Sequence, residues 1–257
     1  MLPETTIVIA AYNEEERLPE SLGKILAYLS GTRHAAEVVV VDDGSTDNTA
    51  ALVRDLARSM PGLSLISYPQ NRGKGYALRK GVQSSRGAFV LVTDADLSTP
   101  IEELENLKRH LAQKSHQIAI GSRALPASDV VKAQPVWRRG MGRLFNRLVR
   151  LLVIDDFKDT QCGFKLFSGD VARRLFSQAR IDRFAYDVEI LALAKKHGYP
   201  VVEVPVRWRN CAASKVNPAL DSLQMLTDLA RIRLSTGRTP DKVLAGFEEL
   251  GSESANP

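Results

Sequence analysis

The stretch Phe89-Val90-Leu91-Val92-Thr93-Asp94-Ala95-Asp96 decides the fold, because it joins a buried strand to two acidic residues. A short continuous apolar run is typical of a parallel strand that is covered on both faces. Carboxylates two positions apart in extended backbone point to the same side. Such a pair at the end of a buried strand is costly unless a cation neutralises it, and Mg²⁺ is commonly held by one or two carboxylates together with substrate phosphates. Asp94 and Asp96 are therefore a candidate metal site.

A helix N-cap with a neighbouring charge is the alternative interpretation of this pair, because a helix is predicted soon after it. Ser98 and Thr99 lie closer to that helix and can supply its caps. We therefore expect both aspartates to be free for a ligand.

Similar apolar runs recur through the first 121 residues and alternate with helical patterns. Strands are predicted over 6–11, 37–41, 63–68, 89–93 and 117–120. Helices are predicted near 15–29, 47–59, 74–86 and 100–113. This alternation predicts an α/β fold, a doubly wound and mostly parallel sheet with helices on both faces. Ligands of such sheets bind at the carboxyl ends of the strands.

The second half of the chain has a less regular pattern. A loop is predicted over 122–136, a basic amphipathic helix over 137–152, an extended segment over 160–167 and a strand over 201–208. Further helices are predicted over 169–177, 185–197 and 219–235. We expect a single domain over 1–235 and a tail over 236–257 whose end is disordered.

Length, charge and cysteine content narrow the class of protein. The 257 residues fit one substantial domain, and the formal net charge is +5. Phosphates or anionic lipids would suit this charge, but from the total alone a charge spread over solvated surface is the favoured interpretation, and we expect no nucleic-acid partner. The sequence lacks a signal-peptide pattern and an apolar run of the roughly 18 residues that span a bilayer. We expect a cytoplasmic protein that does not cross a membrane but can lie on its cytoplasmic face.

Three other loops carry residues suited to a nucleotide, and their sequences are Ala10-Ala11-Tyr12-Asn13-Glu14, Val41-Asp42-Asp43-Gly44-Ser45-Thr46-Asp47 and Asn71-Arg72-Gly73-Lys74-Gly75. Tyr12 offers a ring for stacking on a base, and Asp42 can accept hydrogen bonds from a base or ribose. Lys74 in a glycine-rich loop before a helix suits phosphate. Taken singly, each loop also fits plain turn and capping chemistry. Together they follow one edge of one sheet, which predicts that they converge in space.

These motifs resemble those of the family-2 inverting glycosyltransferases with the GT-A fold. Besides the loops above, the resemblance rests on Asp94-Ala95-Asp96 and Gly121-Ser122-Arg123. In the second half, Asp159-Thr160-Gln161-Cys162-Gly163-Phe164-Lys165-Leu166-Phe167, Phe184-Ala185-Tyr186-Asp187-Val188-Glu189 and Val204-Pro205-Val206-Arg207-Trp208 resemble the branch that makes dolichyl- or polyprenyl-phosphate glucose and mannose. Within that branch, the dolichyl-phosphate β-glucosyltransferases are the most similar group.

The resemblance implies an enzyme that moves a hexose, with UDP-glucose the favoured donor, to a polyprenyl or dolichyl phosphate. Residues 1–121 would form the nucleotide-sugar-binding half and residues 122–235 the acceptor-binding half. A glycosyltransferase acting on a soluble or polysaccharide hydroxyl is the alternative. A nucleotidyltransferase is a weaker one, because the glycine-rich first loop with a following Arg and Lys is missing.

The resemblance also implies roles for individual residues. The residues expected to bind the donor are Ala11, Tyr12, Glu14, Asp42, Asp43, Lys74, Asp94, Ala95, Asp96 and Gln161. Those expected to bind the acceptor phosphate are Arg123, Arg139, Lys165, Arg207 and Lys215. The expected catalytic residues are Asp96, Lys165, Asp187 and Arg123. The expected metal is Mg²⁺ or Mn²⁺, held by Asp94 and Asp96.

The charge state of the acceptor decides whether a base is needed. A monoalkyl phosphate has a second pKa of about 6 and is mostly dianionic at neutral pH, so it attacks without a strong base. For a hydroxyl acceptor, Asp187 or Glu189 would be the base. An alternative of equal weight is that these two acids cap a helix or orient an arginine.

The helix predicted over 137–152 bears on a lipid acceptor. Its apolar face is formed by Met141, Leu144, Phe145, Leu148, Val149 and Leu152, and its basic stripe by Arg139, Arg143, Arg147 and Arg150. With Trp137 at its start, the helix fits peripheral contact with a membrane surface. An ordinary helix with one face toward the core and arginines in solvent fits the same periodicity.

Overall fold

The computed structural model describes residues 3–32, 35–113, 116–132, 136–211 and 218–237. The strands are β1 (Thr5–Ala11), β2 (Ala36–Asp43), β3 (Leu63–Tyr68), β4 (Phe89–Asp94), β5 (Ile118–Ser122), β6 (Asp129–Lys132), β7 (Lys165–Ser168), β8 (Val201–Pro205) and β9 (Arg207–Arg209). The helices are α1 (Leu18–Gly31), α2 (Thr49–Ser59), α3 (Lys74–Ser84), α4 (Glu103–Gln113), α5 (Val136–Leu152), α6 (Gly169–Gln178), α7 (Tyr186–Lys196) and α8 (Pro218–Thr236).

The central sheet has seven strands in the order β3-β2-β1-β4-β7-β5-β8. The strands β3, β2, β1 and β4 are parallel to one another, and β5 is parallel to β8. This confirms the predicted doubly wound, mostly parallel sheet. The carboxyl ends of β1, β2 and β4 therefore meet at one edge, where the loops that follow them lie side by side.

One strand of the sheet runs against the others, which the sequence pattern did not predict. β7 lies between β4 and β5 and is antiparallel to both. Because its direction is reversed, its first residue lies at the carboxyl edge of the sheet, with Lys165 paired in register with Val92 of β4. This reversal delivers Lys165 to the same edge as the acidic loop 94–96.

Two predictions for the second half were wrong in detail. Residues 122–136 are not all loop, because β6 pairs with β9 in a separate two-stranded sheet. The strand predicted over 201–208 is divided into β8 and β9. The β6 strand has four residues and its partner lies far along the chain, so the local sequence pattern carries little of the pairing. The predicted tail and the loop before α8 lie mostly outside the described residues.

Helices cover both faces of the sheet, as predicted. Alternate residues of β1 point to opposite faces: Ile7 and Ile9 join a core with helices α1 and α4, while Val8 joins a core with α3, α6 and α7. The second core also contains residues of α5 and α8, including Val149 and Leu229. Helices α5, α6, α7 and α8 are thereby packed on the same face of the sheet as α3.

Helix α5 has one side packed on the core and two leucines exposed on its outer side. Its residues that pack on the core are Phe145, Leu148, Val149 and Leu152, which is the core-facing alternative. Leu144 and Leu151 point outward and are 61% and 64% exposed. The side chains of Trp137, Arg139, Met141 and Arg143 lie outside the described residues. Within the described part of the chain, no helix is both long enough and apolar enough to cross a bilayer.

A glycine permits the close approach of α3 to the sheet. A Cβ atom at Gly81 would overlap Val8 and would lie 2.9 Å from Cγ2 of Val41. The helix therefore rests directly on β1 and β2, which fixes its first residue, Lys74, near the carboxyl edge.

We expect Gly81→Ala to lower the free energy of unfolding by about 1–3 kcal/mol, because a methyl group there overpacks the contact between helix and sheet. Gly23→Ala in α1 is the matched control, since a Cβ atom at Gly23 would meet nothing within 4 Å. It should stabilise the protein by up to about 1 kcal/mol through helix propensity. Urea unfolding measures both, and a Gly81→Ala protein as stable as the wild type would contradict the close packing.

Candidate active site

The loops after β1 and β2 are joined into one unit by hydrogen bonds. The amide of Asn13 donates to Ser45 Oγ at 2.9 Å, and the amide of Thr46 donates to Asn13 Oδ1 at 2.8 Å. The amide of Glu14 donates to Thr49 Oγ1 at 2.7 Å. Asn13 takes a positive φ of 54°, which asparagine tolerates better than most residues. These contacts hold the exposed ring of Tyr12 at the edge of the site.

Asp42 and Asp43, both predicted to bind the donor, are engaged within the protein. Asp42 accepts hydrogen bonds from the Ser45 amide at 3.1 Å and the Ser67 hydroxyl at 2.8 Å. Asp43 accepts from the Tyr68 hydroxyl and from the amides of residues 72 and 73, each at 2.8 Å. Asp43 thus anchors the 71–75 loop and positions Lys74, while its contact with a donor stays a prediction.

Asp94 at the end of β4 lies among cations. The Lys74 ammonium forms an ion pair with Asp94 Oδ1. Burial by itself raises the pKa of the Asp94 carboxyl, but the charges of Lys74, Lys165 and Arg123 bring this pKa below its ordinary value. A Cβ at Gly163 would overlap the Asp94 carboxyl group, so only glycine fits behind it. Lys74 thus contacts this carboxylate directly, and the charges of Lys165 and Arg123 act on it from nearby.

Asp96 is less free than the sequence suggested. Its Oδ1 accepts a hydrogen bond from the Ser98 amide at 3.0 Å, so this carboxylate is not wholly free for a ligand, contrary to our expectation. Its Oδ2 lies 3.9 Å from a guanidinium nitrogen of Arg17. Leu97, which lies between Asp96 and Ser98, has a positive φ of 44°, a strained conformation for a bulky residue.

Arg17 was not identified from the sequence, although it links two of the predicted residues. Its guanidinium donates to Glu14 Oε2 at 2.7 Å and to Oε1 at 2.5 Å. It therefore connects Glu14 to Asp96. The only signal in the sequence was an arginine three positions after Glu14, a spacing that is common in helices.

Lys165 forms a second lysine–aspartate pair deep in the site. It is 2% exposed, it forms an ion pair with Asp187, and its ammonium donates to the carbonyl of Cys162 at 2.6 Å. The neighbouring Tyr186 is buried, and burial together with the Asp187 charge raises the pKa of its hydroxyl well above the ordinary value. Its ring centroid lies 5.7 Å from the Lys74 ammonium, so Tyr186 is adjacent to Asp187 in the chain and close to the first pair in space. The sequence assigned no role to Tyr186.

Arg123 is fixed by a two-pronged ion pair. Its Nε and Nη2 donate to the two oxygens of Asp159 at 2.7 and 2.8 Å. Its guanidinium also lies 5.4 Å from the ring centroid of Trp208. Burial lowers the pKa of Arg123, but the charge and hydrogen bonds of Asp159 raise it by more, so this pKa lies above its ordinary value. Asp159 and Trp208 belong to motifs quoted from the sequence, yet their contacts with Arg123 emerge only from the fold.

The other predicted residues lie at varying distances from this cluster. Ala11 and Ala95 are buried at the strand ends, and the amide of Gln161 donates to Asp159 Oδ1 at 3.2 Å. Arg207 instead pairs with Glu103 at 2.8 Å, so the structure does not bring it into the cluster. The side chain of Arg139 and the whole of Lys215 lie outside the described residues.

Glu189 serves the backbone in this structure. Its carboxylate accepts hydrogen bonds from the amides of Arg180 and Ile181, each at 2.9 Å. Burial raises the pKa of this carboxyl above its ordinary value despite those two bonds. Of the two acids considered as bases, one thus holds a loop and the other, Asp187, is paired with Lys165.

The donor atoms present suit a hard divalent cation in combination with a phosphate ligand. The described residues contain no group of three or more His, Cys, Asp or Glu side chains arranged around a common metal position. Asp94 and Asp96 together supply carboxylate oxygens at one strand end, and Mg²⁺ typically takes one or two carboxylates plus phosphate oxygens. The pair therefore fits a metal that arrives with a diphosphate.

Comparison with known proteins gives a consistent result over most of the chain. The sequence model of the family described as Glycosyl transferase family 2 matches residues 6–176. The dolichyl-phosphate beta-glucosyltransferase of Dictyostelium discoideum is 38% identical over 239 residues, which covers 89% of this chain and 73% of that protein. The protein of the same name from Homo sapiens is 36% identical over 243 residues, which covers 90% of this chain and 75% of the human protein.

A solved structure shows the same fold. Glucosyl-3-phosphoglycerate synthase from Mycobacterium tuberculosis, in complex with Mn²⁺, UDP and glucosyl-3-phosphoglycerate, matches with a TM-score of 0.63 and 19% sequence identity. The match covers 93% of this chain and 82% of that one. The predicted GT-A fold is thereby confirmed.

Proposed function

Because the chain belongs to glycosyl transferase family 2, we propose that it transfers glucose from a nucleotide-diphosphate donor to dolichyl phosphate or a related polyprenyl phosphate. The names of the relatives from Dictyostelium discoideum and Homo sapiens support both the sugar and the lipid acceptor. UDP-glucose is the favoured donor, and the UDP complex of the Mycobacterium tuberculosis synthase supports uracil as the nucleobase of the donor.

The observation that carries this proposal is the cluster of three ion pairs, Lys74–Asp94, Lys165–Asp187 and Arg123–Asp159, whose three cations all act on the charge of Asp94. The reaction brings a diphosphate and a phosphate monoester into one site, and their repulsion must be offset by cations. Arginine and lysine suit phosphate oxygens, and a site shielded from water strengthens these interactions. In this proposal Lys74 would bind the donor diphosphate, and Lys165 and Arg123 would bind the acceptor phosphate.

The acids of the site favour a phosphate acceptor over a hydroxyl. Asp187 is held by Lys165 and Glu189 by two backbone amides, so neither is poised to take a proton. A phosphate dianion needs no such base. Its oxygen forms the new bond to C1 of the sugar, the bond from C1 to the nucleoside diphosphate breaks, and the diphosphate leaves with the electron pair. Displacement from the opposite side inverts the anomeric centre.

Asp94 and Asp96 would hold Mg²⁺ or Mn²⁺ together with the donor diphosphate. The Mn²⁺ and UDP in the Mycobacterium tuberculosis structure support this assignment. Such an ion stabilises the charge that develops on the leaving diphosphate. Tyr12, Glu14 and Asp42 would contact the nucleoside, and Gln161 would lie near the sugar.

We also propose that the protein works as a peripheral protein on the cytoplasmic face of a membrane, where a lipid phosphate is presented. The exposed Leu144 and Leu151 lie on α5 beside the exposed Arg147 and Arg150. Leucines flanked by arginines suit the boundary between acyl chains and anionic headgroups. Both cysteines, Cys162 and Cys211, are free thiols, which is common in a reducing compartment.

We expect the full chain with Mg²⁺ to convert UDP-glucose and a short polyprenyl phosphate into a glucosylated lipid phosphate and UDP, as followed by mass spectrometry. GDP-mannose should react at least about tenfold more slowly, because a base and a sugar are recognised together. The polyprenyl alcohol without its phosphate is the matched control and should accept no sugar. Transfer to the alcohol, or to soluble alcohols alone, would exclude the phosphate acceptor, and a preference for GDP-mannose would exclude the glucose donor.

Replacement of Leu144 and Leu151 by serine should weaken binding to vesicles that contain anionic lipid, because two exposed apolar side chains are lost from the interface. Binding is measured by sedimentation, and transfer to a short, water-soluble polyprenyl phosphate should be unchanged. Leu52→Ser is the control, since Leu52 is exposed on α2 at the other face of the sheet. Equal vesicle binding by all three proteins would sink the proposed contact through α5.

A further inference from the structure

We infer that the Lys74 ammonium is a resident counter-ion of Asp94, which must leave this carboxylate before a divalent cation binds there and which moves to the arriving donor diphosphate. The inference rests on the proposed function, because it assumes a donor that carries a diphosphate. It concerns how two ligands enter the site together, and it makes Lys74 a positioning residue for the metal.

The first step is that each oxygen of the Asp94 carboxylate has a close neighbour in the protein, although the side chain is partly exposed. Oδ1 is paired with Lys74. Oδ2 faces the backbone of Gly163, where a Cβ atom would overlap the carboxyl group. Gly163 is part of the chain between Asp159 and β7 and is fixed by the sheet, so it does not give way. Lys74 therefore occupies the side of the carboxylate that lies away from Gly163, where its charge opposes the approach of a divalent cation.

The second step is that Lys74 can move, whereas the cation beside Asp96 cannot. Arg17 is tied to both oxygens of Glu14 and forms a longer ion pair, of 3.9 Å, with Asp96. Lys74 contacts Asp94 directly, and among the contacts of the described residues Asp94 is its hydrogen-bond partner. An ammonium on a flexible four-carbon stem changes partner without moving the backbone.

The third step is that a diphosphate offers Lys74 a better partner at nearly the same place. Lys74 is the first residue of α3, and a helix N-terminus attracts anions. Asp43 holds the preceding loop rigidly, so the base of the Lys74 side chain stays where it is. The ring of Tyr186 borders the space in which the ammonium swings.

Binding of the metal and binding of the nucleotide are then coupled. Without nucleotide, a divalent cation competes with Lys74 for Asp94, and the like charges repel each other. With nucleotide, the diphosphate takes up the ammonium and Asp94 becomes available. By linkage, each ligand tightens the binding of the other by the same factor.

Titration of Mn²⁺ followed by the electron paramagnetic resonance signal of the free ion tests this coupling on the full chain. UDP should tighten Mn²⁺ binding to the wild type by roughly tenfold or more, within the usual range for coupled sites. Lys74→Met should bind Mn²⁺ alone roughly tenfold more tightly than the wild type, and UDP should then add much less. Asp96→Asn should bind Mn²⁺ poorly with or without UDP, which locates the ion.

Lys80→Met is the matched control, because it removes the same charge from an exposed position of the same helix. It should behave as the wild type. A second measurement covers a loss of stability in Lys74→Met: Mn²⁺ should raise the Tm of this variant more than that of the wild type. Equal Mn²⁺ affinity of the wild type and Lys74→Met, including no detectable binding to either, overturns the inference. No acceptor is present, so a wrong lipid acceptor leaves the result intact.

Discussion

The rest of the site depends on one constraint, which is that carboxylates at the end of a buried strand must be neutralised. Asp94 ends β4 with its pKa lowered by Lys74, Lys165 and Arg123 against the effect of burial. These cations come from the start of α3, the start of β7 and the end of β5. Each is held by its own anchor: Asp43 fixes the loop of Lys74, Asp187 pairs with Lys165 and Asp159 with Arg123. The fold thus assembles positive charge around an acid before any substrate arrives.

The same arrangement explains why phosphate chemistry suits the site. A protein that must bring a diphosphate and a phosphate monoester together needs cations that are already ordered, because little free energy is then spent on reorganisation. Asp187 is paired with Lys165, and Glu189 accepts backbone hydrogen bonds. The attacking phosphate oxygen must therefore already be negatively charged. In the proposed mechanism, the cations of these ion pairs are therefore already ordered before they bind the substrate phosphates.

Much of the parallel half of the fold could be predicted from the sequence, because its strands are continuous apolar runs and its loops end in recognisable motifs. The strand predicted over 63–68 agrees with Leu63–Tyr68, and the acidic loop 94–96 lies at the predicted edge. The direction of β7 could not be predicted, since a four-residue strand has no periodicity that reveals its partner. The pairing of β6 with β9 was missed for the same reason.

The residues of the site could be named more readily than their contacts. Lys74, Asp94, Lys165 and Asp187 were all predicted, yet the two ion pairs among them join positions 20 and 22 residues apart and depend on the fold. We predicted no role for Arg17, Asp159 or Tyr186, because nothing in the neighbouring sequence distinguishes them from ordinary structural residues. Arg207 shows the opposite case, since it belongs to a quoted motif but pairs with Glu103 away from the cluster.

We propose that the acceptor phosphate attacks without a base from the protein, and the pH dependence of kcat/KM for the acceptor tests this mechanism most directly. The rate should rise along a limb with an apparent pKa of about 6, which belongs to the second ionisation of the phosphate. A phosphonate analogue with a higher second pKa should move this limb upward by the same difference. A limb that stays in place when the acceptor is changed would belong to a group of the enzyme and would contradict the account.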